Sequence, residues 1–247
     1  MTDSLGWRAK FAVLIPSTNT SVQPEFDAMA PPGVTNHTSR IIIPNIALKS
    51  DEDFNKLIEL IAAAQMQAVD SVMSAEPDRL VLGISAETFW DGLAASRKLK
   101  KDLEAHTKLK VSMGAEACDE AFKALKVRKI GVVTPYWPVG DKNVQRFFEE
   151  SGYEVRRIVG LKCESPVLIA HVQPQQLRDA FRQIDGDDVD ALVQVGTNLA
   201  CGKVAAEAEG WLGKPVIAIN AAIYWNALRA HGISDRMPGW GSLLERH

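Results

Sequence analysis

Short apolar runs, each followed by a polar loop, recur along the chain, and segments with helical periodicity fill the intervals between them. The first run, Phe11 to Ile15, stops at Pro16 and is followed by Ser17-Thr18-Asn19-Thr20. Proline has no N–H to donate to a sheet, so the strand should end there. Serine, threonine and asparagine side chains can cap a helix or bind a ligand. This stretch predicts a buried strand, a candidate site loop and then a helix.

The rest of the chain repeats this alternation. Residues 51–75 carry apolar positions at three- and four-residue spacings, which predicts a long helix with one buried stripe. A further helix should follow the loop at 83–87. Short apolar strands that alternate with helices predict a parallel sheet of the α/β class. The predicted strands are 11–15, 39–44, 79–82, 109–112, 129–133, 153–158, 191–195 and 216–219, and the other predicted helices are 22–29, 118–125, 141–151, 174–184, 200–211 and 221–231.

Two pairs of similar stretches indicate that the chain is built of two related halves. Pro16 and Pro135 both end an apolar strand and lie 119 residues apart, while Gly83 and Gly196 follow similar strands and lie 113 residues apart. We therefore predict two pseudo-symmetric, flavodoxin-like parallel-sheet lobes with a cleft between them. The predicted lobes are 1–115, with the C-terminal helix as an alternative addition, and 116–247.

Composition and charge exclude several classes of function. The 247 residues include 46% apolar and 24% charged residues with a net charge of −3, which is typical of a globular protein and offers no basic surface for nucleic acid. No apolar run approaches the roughly 20 residues that span a bilayer. The segment Met1 to Trp7 lacks the pattern of a secretory leader. We expect a cytoplasmic protein that binds neither nucleic acid nor membrane; a homo-oligomer is compatible with the sequence.

The cysteines indicate neither a disulfide framework nor a metal site. There are three, Cys118, Cys163 and Cys201, and neither their odd number nor their spacing fits a disulfide set or zinc ligands. No cluster of histidine, cysteine and aspartate has ligand spacing. We therefore expect reduced thiols, no bound metal and no cofactor.

Four loops should meet at one place, because ligands of open α/β sheets bind beyond the carboxyl ends of the strands. These loops are 16–20 and 83–87 in the first lobe, and 134–137 and 196–198 in the second. Their donors would suit a carboxylate and a developing oxyanion; the alternative is that they are helix caps and turn residues. The candidate groups are Ser17, Asn19, Ser85, Tyr136, Thr197 and Asn198, with the backbone N–H groups beside Gly83 and Gly196.

The loop sequences resemble those of a known family over nearly the whole chain. Residues 16–20 followed by Pro24-Glu25, residues 133–136, and Gly196-Thr197-Asn198-Leu199 are similar to the maleate cis-trans isomerase and arylmalonate decarboxylase branch of the aspartate/glutamate racemase superfamily. The resemblance implies two α/β lobes with the site between them and no metal or organic cofactor. It also implies that Asn19 and Tyr136 hold oxygens of a carboxylate or enediolate.

The sequence departs from this family at the residues that carry its chemistry. Racemases and maleate isomerases have a cysteine after the third strand of each lobe, and the decarboxylase keeps only the second. The matching positions here are Gly83 and Gly196. Of the cysteines present, Cys201 is the nearest in sequence to a site loop, and we expect even this one to be structural.

Glu87 is the ionisable candidate that could replace the missing thiols. It lies two residues beyond Ser85 and close to Phe89 and Trp90, and partial desolvation there would raise the pKa of its carboxyl into a range useful for acid–base catalysis. The alternative is a helix N-terminal acid favoured by the helix dipole.

Three hypotheses for function follow. The first is a cofactor-independent enzyme that forms an enediolate-like intermediate on a small carboxylate or dicarboxylate, most like maleate cis-trans isomerase, with arylmalonate-type decarboxylation or racemisation as alternatives. The second is a diverged hydrolase or lyase that uses Ser85 and Glu87. The third is a small-acid binding protein without catalysis. The density of polar side chains in all four loops favours an enzyme.

Overall fold

The structure is a computed structural model that describes residues 3–247. Met1 and Thr2, the first residues of the segment considered for a leader, lie outside the described residues. Within the described range, none of the helices has the length and apolar content needed to cross a membrane. The first half of the chain contains β1 (Ala9–Pro16), α1 (Val22–Met29), β2 (Val34–Ile41), α2 (Asp51–Met73), β3 (Arg79–Leu82), α3 (Ala86–Phe89), α4 (Gly92–Thr107), β4 (Lys110–Ser112) and α5 (Gly114–Leu125).

The second half follows the same alternation and ends in two helices. It contains β5 (Lys129–Thr134), α6 (Pro138–Glu150), β6 (Glu154–Gly160), a 3-10 turn (Leu168–His171), α7 (Pro174–Ile184), β7 (Ala191–Gln194), α8 (Gly202–Leu212), β8 (Val216–Ala218), α9 (Ile219–Ala230) and α10 (Ser242–Arg246).

The two halves form separate four-stranded sheets of the same topology. The strand order is β2-β1-β3-β4 in the first sheet and β6-β5-β7-β8 in the second, and every pair of neighbouring strands is parallel. The central strands are buried along almost their whole length, as strands covered on both faces should be. The predicted α/β class with two pseudo-symmetric lobes is confirmed.

The second strand was predicted at the wrong position. The apolar run Ile41-Ile42-Ile43 suggested a strand over 39–44, whereas β2 spans Val34–Ile41. β2 pairs with β1 from Ala9↔Val34 to Pro16↔Ile41, and most of its residues are partly exposed because it is an edge strand. The apolar run continues beyond the strand, where Ile42 is 75% exposed and Ile43 only 6%. The polar residues at the start of this edge strand did not indicate a strand, and the apolar residues of the loop that follows it were mistaken for the strand itself.

The remaining predicted elements are present, most of them with shifted ends. Helices 22–29 and 174–184 and strand 79–82 match the observed elements. The helix predicted from residue 118 begins at Gly114. The helix predicted from residue 141 begins at Pro138, a first-turn position where the missing N–H of proline does no harm.

Helix α9, which corresponds to the predicted C-terminal helix 221–231, packs against the first lobe as well as the second. It packs against α5, α1 and the strands β3 and β4, as well as against β8. Ten consecutive residues, from Ile219 to Leu228, are buried, as expected for a helix covered on all sides. A lobe boundary at residue 115, with this helix added to the first lobe, stays a prediction.

An aromatic cluster joins the two lobes beneath α3. The ring of Phe89 lies 5.1 Å from that of Phe147 and 5.4 Å from that of Phe148, both on α6. Phe122 on α5 lies 5.4 Å from Phe148. Edge-to-face aromatic contacts of this kind stabilise beyond the area they bury. They fix the short helix α3 of the first lobe against α6 of the second, and α3 carries Glu87.

Candidate active site

A cavity lies between the lobes, at the carboxyl ends of β1, β3, β5 and β7. All four predicted loops contribute to its wall, which confirms that they converge. Its lining residues are Pro16, Thr18, Asn19, Ile43, Phe54, Leu57, Ile61, Ile84, Ser85, Ala86, Glu87, Tyr136, Pro166, Ile169, Gly196, Thr197 and Asn198. Seven of the nine predicted site residues are among them; Ser17 and Gly83 are not.

A chain of hydrogen bonds connects the polar residues of the two lobes. Ser85 Oγ and Tyr136 Oη are 2.6 Å apart. The Thr197 N–H donates to Ser85 Oγ at 3.2 Å, and Asn19 Nδ2 donates to Thr197 Oγ1 at 3.3 Å. All four residues are buried. The site is therefore a connected network across the lobe interface, and its members hold one another in place.

Burial keeps the Tyr136 phenol protonated. Desolvation raises its pKa far above the usual range, against the opposing effect of the Ser85 hydrogen bond. A hydrogen bond within the loop also holds Tyr136, because its backbone N–H donates to the side-chain Oγ1 of Thr134 at 3.0 Å. Thr134 Oγ1 in turn donates to Asp141 on α6, whose pKa burial raises to about 6. Tyr136 is therefore a fixed, neutral hydroxyl group at the cavity wall.

Glu87 places an unpaired carboxyl group in the cavity. Its side chain is 8% exposed, and within residues 3–247 neither carboxyl oxygen has a hydrogen-bond partner. Desolvation raises its pKa to about 8, because an apolar environment penalises the charged form. At neutral pH most of the population is then protonated, and a small change in pH moves the proton. A buried, unpartnered carboxyl with a shifted pKa in a cleft is typical of functional groups.

The two asparagines that were predicted to bind substrate, Asn19 and Asn198, also form hydrogen bonds within the protein. Asn19 Oδ1 accepts the N–H groups of Ser21 and Val22, both at 3.0 Å, and so caps the start of α1. Asn198 Oδ1 accepts the Thr20 N–H at 2.9 Å, and its Nδ2 donates to the Pro166 carbonyl at 2.9 Å. Their side chains line the cavity, but most of their hydrogen-bonding capacity is used within the protein.

Ser17 and Gly83 are not among the residues that line the cavity. Ser17 is exposed, and its Oγ donates to the carbonyl of Ile43 at 3.1 Å and accepts the Ile43 N–H at 3.0 Å. The Gly83 carbonyl accepts a hydrogen bond from Thr197 Oγ1 at 3.1 Å. Their predicted contact with substrate stays a prediction; in the structure both residues bond to neighbouring segments of the chain.

The two glycines that the resemblance matches to the family's cysteines, Gly83 and Gly196, have little room for a side chain. A Cβ at Gly83 would lie 2.4 Å from Ile15 Cγ2 and 2.7 Å from Val22 Cγ1. A Cβ at Gly196 would lie 2.4 Å from Pro135 Cδ, and the φ angle of +109° also disfavours any L side chain. The packing around both positions is therefore built for glycine.

The three cysteines are all buried and lie outside the cavity lining. Burial raises the pKa of the Cys163 thiol to about 11, and that of Cys118 above its ordinary range. For Cys201 burial acts first and the nearby Glu25 carboxylate adds to it, so its pKa is raised well above the ordinary value. None of the three is placed as a reactive thiolate, which needs an electropositive and partly exposed setting.

The apolar part of the cavity was not predicted from the sequence. Phe54, Leu57 and Ile61 of α2 face it, although their helical spacing indicated only a core stripe. Ile43, just beyond β2, and Ile169, in the 3-10 turn, lie in segments for which no function was predicted. The ring of Phe54 lies 5.2 Å from that of Tyr136, so the apolar wall directly adjoins the polar one. No lysine, arginine or histidine is among the lining residues.

Contacts between loops of opposite lobes close the cavity around this apolar wall. The Leu48 N–H donates to the Glu164 carbonyl at 2.7 Å, and the Val139 N–H at the start of α6 donates to Asp51 Oδ1 at 2.9 Å. These bonds hold the 42–50 loop against the second lobe.

No group of three or more histidine, cysteine, aspartate or glutamate side chains in the described part of the chain is arranged to hold a metal ion.

Comparison with known proteins places this geometry among related enzymes. The family model described as arylmalonate decarboxylase (Amdase) matches residues 12–244. A maleate isomerase of Pseudomonas putida is 27% identical over 248 residues, which covers 94% of this chain and 95% of that protein.

Solved structures with the same fold include members of both activities. A maleate cis-trans isomerase of Nocardia farcinica with a covalently bound succinylcysteine intermediate superimposes with a TM-score of 0.87 at 21% identity, covering 97% of this chain and 99% of that chain. Arylmalonate decarboxylase superimposes with a TM-score of 0.71 at 19% identity, covering 95% and 98% of the two chains.

Proposed function

Because the chain belongs to the arylmalonate decarboxylase family, we propose that it is a cofactor-independent enzyme that acts on a small carboxylate through an enediolate-like intermediate. The observation that carries this proposal is the cavity that combines the Ser85–Tyr136 hydroxyl pair with the unpartnered carboxyl of Glu87. Fixed hydroxyl donors stabilise negative charge that develops on carboxylate oxygens. A carboxyl with a pKa of about 8 can give or take a proton near neutral pH.

Both lobes contribute residues to this proposal. One hydroxyl of the Ser85–Tyr136 pair donates to the other, so the pair offers its remaining proton to an enediolate oxygen. Asn19 orients the carboxylate through the second proton of its Nδ2, and Thr197 holds Ser85 in place through its N–H. Glu87 is the group that exchanges a proton or adds to the substrate. Gly196 and Asn198 complete the wall, while Ser17 and Gly83 bond to the segments that carry it.

The first candidate reaction is the cis-trans isomerisation of maleate, the activity named for the relatives. Its double bond must become single for rotation, so a nucleophile has to add to one carbon while the opposite carboxylate takes up the electron pair as an enediolate. In this chain the Glu87 carboxylate is that nucleophile, since no cysteine lines the cavity. After rotation, elimination restores the double bond and releases Glu87, and no proton is gained or lost.

The second candidate is decarboxylation of a malonate with an apolar substituent, and the wall of Phe54, Leu57 and Ile61 favours it. An apolar wall without a cation suits a hydrocarbon group better than a second charged group. The bond between the central carbon and one carboxylate breaks, carbon dioxide leaves, and the electron pair becomes the enediolate of the remaining carboxylate. The Glu87 carboxyl donates its proton to the central carbon, and water then reprotonates Glu87.

The two candidates predict opposite pH dependences. Donation needs protonated Glu87, so kcat/KM for decarboxylation should be level below the free-enzyme pKa of about 8 and fall as the pH rises above it. Addition needs the carboxylate, so kcat/KM for isomerisation should rise with pH and level off above about 8. Maleate, phenylmalonate and a straight-chain alkylmalonate should therefore be assayed in D₂O from about pH 6.5 to 9.5.

Deuterium content gives an independent readout. Decarboxylation in D₂O should leave one deuteron on the central carbon of the product, whereas isomerisation by addition and elimination should leave none in fumarate. Binding of these acids with neither turnover nor exchange would contradict the proposal and favour a binding protein. Hydrolysis of hydantoins in the same screen would favour a diverged hydrolase instead.

A further inference from the structure

The Pro24-Glu25 pair of the sequence has no part in the reaction described above, yet the structure directs Glu25 across the lobe interface. Glu25 lies on α1 of the first lobe. Its Oε1 accepts the Gly202 N–H, at the start of α8, at 3.0 Å, and its Oε2 accepts Asn220 Nδ2 at 2.7 Å. One carboxylate therefore holds two elements of the opposite half of the chain.

Asn220 passes this contact on to the cavity wall. It is 1% exposed, and the same Nδ2 group that donates to Glu25 also donates to the Thr197 carbonyl at 2.9 Å. Thr197 lines the cavity and donates its N–H to Ser85 Oγ. Asn220 and Thr197 thus link Glu25 to the Ser85–Tyr136 pair.

The chemistry of the bridge calls for a carboxylate at position 25. Glu25 and the Thr197 carbonyl are both acceptors, so the two protons of Asn220 Nδ2 can satisfy both of them. Asn220 Oδ1 has no partner within the described chain, so the orientation of the amide rests on the two acceptors that Nδ2 contacts. The Glu25 carboxylate is the stronger of the two, because it is charged and both repels an oxygen and attracts the amide N–H.

We propose that Glu25 and Asn220 are positioning residues that fix the 196–198 loop, and with it Thr197, against the Ser85–Tyr136 pair. Neither residue is among the cavity-lining residues, so both act through Thr197. The part of this inference that concerns turnover rests on the proposed function, while the part that concerns loop order does not.

The test compares Glu25→Gln and Asn220→Ala with a matched control on α8. Glu209 also accepts several hydrogen bonds, from the Val216 N–H and from Ser242, but all of them are remote from the cavity. Glu209→Gln removes a comparable carboxylate without touching the bridge. Amide hydrogen exchange of the segment 196–199 is measured for each variant, together with the melting temperature and, with the substrate identified above, kcat and KM.

We expect exchange in 196–199 to accelerate about tenfold or more in both bridge variants and to stay unchanged in Glu209→Gln. For similar shifts in melting temperature, kcat/KM should fall about tenfold or more only in the bridge variants. The double variant should lose no more than the more severe single variant, because both changes break the same connection.

Unchanged exchange at 196–199 in both bridge variants would overturn the proposal, as would equal losses of kcat/KM in Glu209→Gln. If exchange accelerates as expected but the wild-type protein turns over none of the tested acids, the bridge stands and the proposed function fails. If the wild-type protein turns over one of these acids but exchange at 196–199 is unchanged in both bridge variants, the proposed function stands and the bridge fails.

Discussion

The loops that follow β3 and β7 occupy matching places in the two lobes, but they differ in what their side chains are free to do. The β3 loop leads to Glu87, whose two carboxyl oxygens have no hydrogen-bond partner in the described chain. The β7 loop leads to Thr197 and Asn198, whose side chains are bonded to the opposite lobe. Both loops begin at a glycine that has no room for a Cβ.

This difference shows that a repeated backbone does not imply repeated chemistry. The β3 loop leads to a group that can change its protonation state, whereas the β7 loop carries a hydroxyl and an amide that are fixed by hydrogen bonds. A buried carboxyl without partners destabilises the fold, so nothing in packing explains its presence. The unpaired carboxyl of Glu87 is therefore the feature of the β3 loop that the proposed reaction explains, whereas the β7 loop is held by its hydrogen bonds.

The substitution with the largest expected effect is Glu87→Gln, which removes the asymmetry between the loops. An amide can neither donate a proton to carbon nor act as a carboxylate nucleophile, so kcat should fall on the order of 10²-fold or more. Turnover of the substrate identified in the D₂O screen is the measurement. A variant with near-normal kcat would remove Glu87 from the mechanism.

The same variant has a signature in stability that does not depend on activity. Because the folded-state pKa of Glu87, about 8, lies above the ordinary glutamate value of 4.5, the folded protein holds this proton more tightly. Its contribution to stability is therefore fully present below 4.5 and is lost as the pH rises from there through about 8. Glu87→Gln should flatten this part of the pH profile of the free energy of unfolding.

Tyr136→Phe tests the other side of the comparison, the fixed donors. Removing the hydroxyl leaves the ring and its contact with Phe54 in place but deletes a donor to the enediolate, so kcat should fall on the order of 10²-fold. The apparent pKa of the pH profile should stay with Glu87. Ser85→Ala is the matched variant, because it removes the partner of the Tyr136 hydroxyl without removing the hydroxyl itself, and it should have the smaller effect.

Substitution of the two glycines tests how alike the loops are in their packing. Gly83→Ala forces a methyl group against the side-chain methyl groups Ile15 Cγ2 and Val22 Cγ1 at an ordinary φ, and overpacking of this kind costs about 1–3 kcal/mol. Gly196→Ala meets the rigid Pro135 ring at a positive φ, which adds a backbone strain of about 1–3 kcal/mol. Chemical denaturation should show the greater loss at Gly196, and equal losses would contradict this reasoning.

Strand ends and loop chemistry were the features that the sequence could predict well. Pro16 and Pro135 end buried strands, and in a parallel sheet the residues that follow such strands gather at one edge. That reasoning brought Asn19, Ser85 and Tyr136 into one cavity without any knowledge of distances. The edge strand β2 was placed wrongly because its inward and outward positions do not alternate in polarity.

The apolar half of the cavity could not be predicted from the sequence in the same way. A residue such as Phe54 satisfies the helical pattern equally well whether it faces a packed core or a cavity. The side-chain amide of Asn198 donates to the Pro166 carbonyl, more than thirty residues away along the chain. The local sequence carries no signal for that contact. The tertiary packing of the two lobes decides both features.

The smallest expected effect belongs to Cys201→Ala, and it tests whether any thiol compensates for the two glycines. Cys201 is fully buried beside Gly202 at the start of α8, and it lies near the Glu25 carboxylate, which disfavours a thiolate. Alanine keeps the backbone N–H of Gly202 that Glu25 accepts, so the interface should persist with a stability loss of about 1 kcal/mol. We expect the variant to keep most of its turnover, measured beside Glu87→Gln. If Cys201→Ala abolished turnover while Glu87→Gln left it intact, the thiol would carry the reaction, and the difference between the two loops would have no chemical meaning.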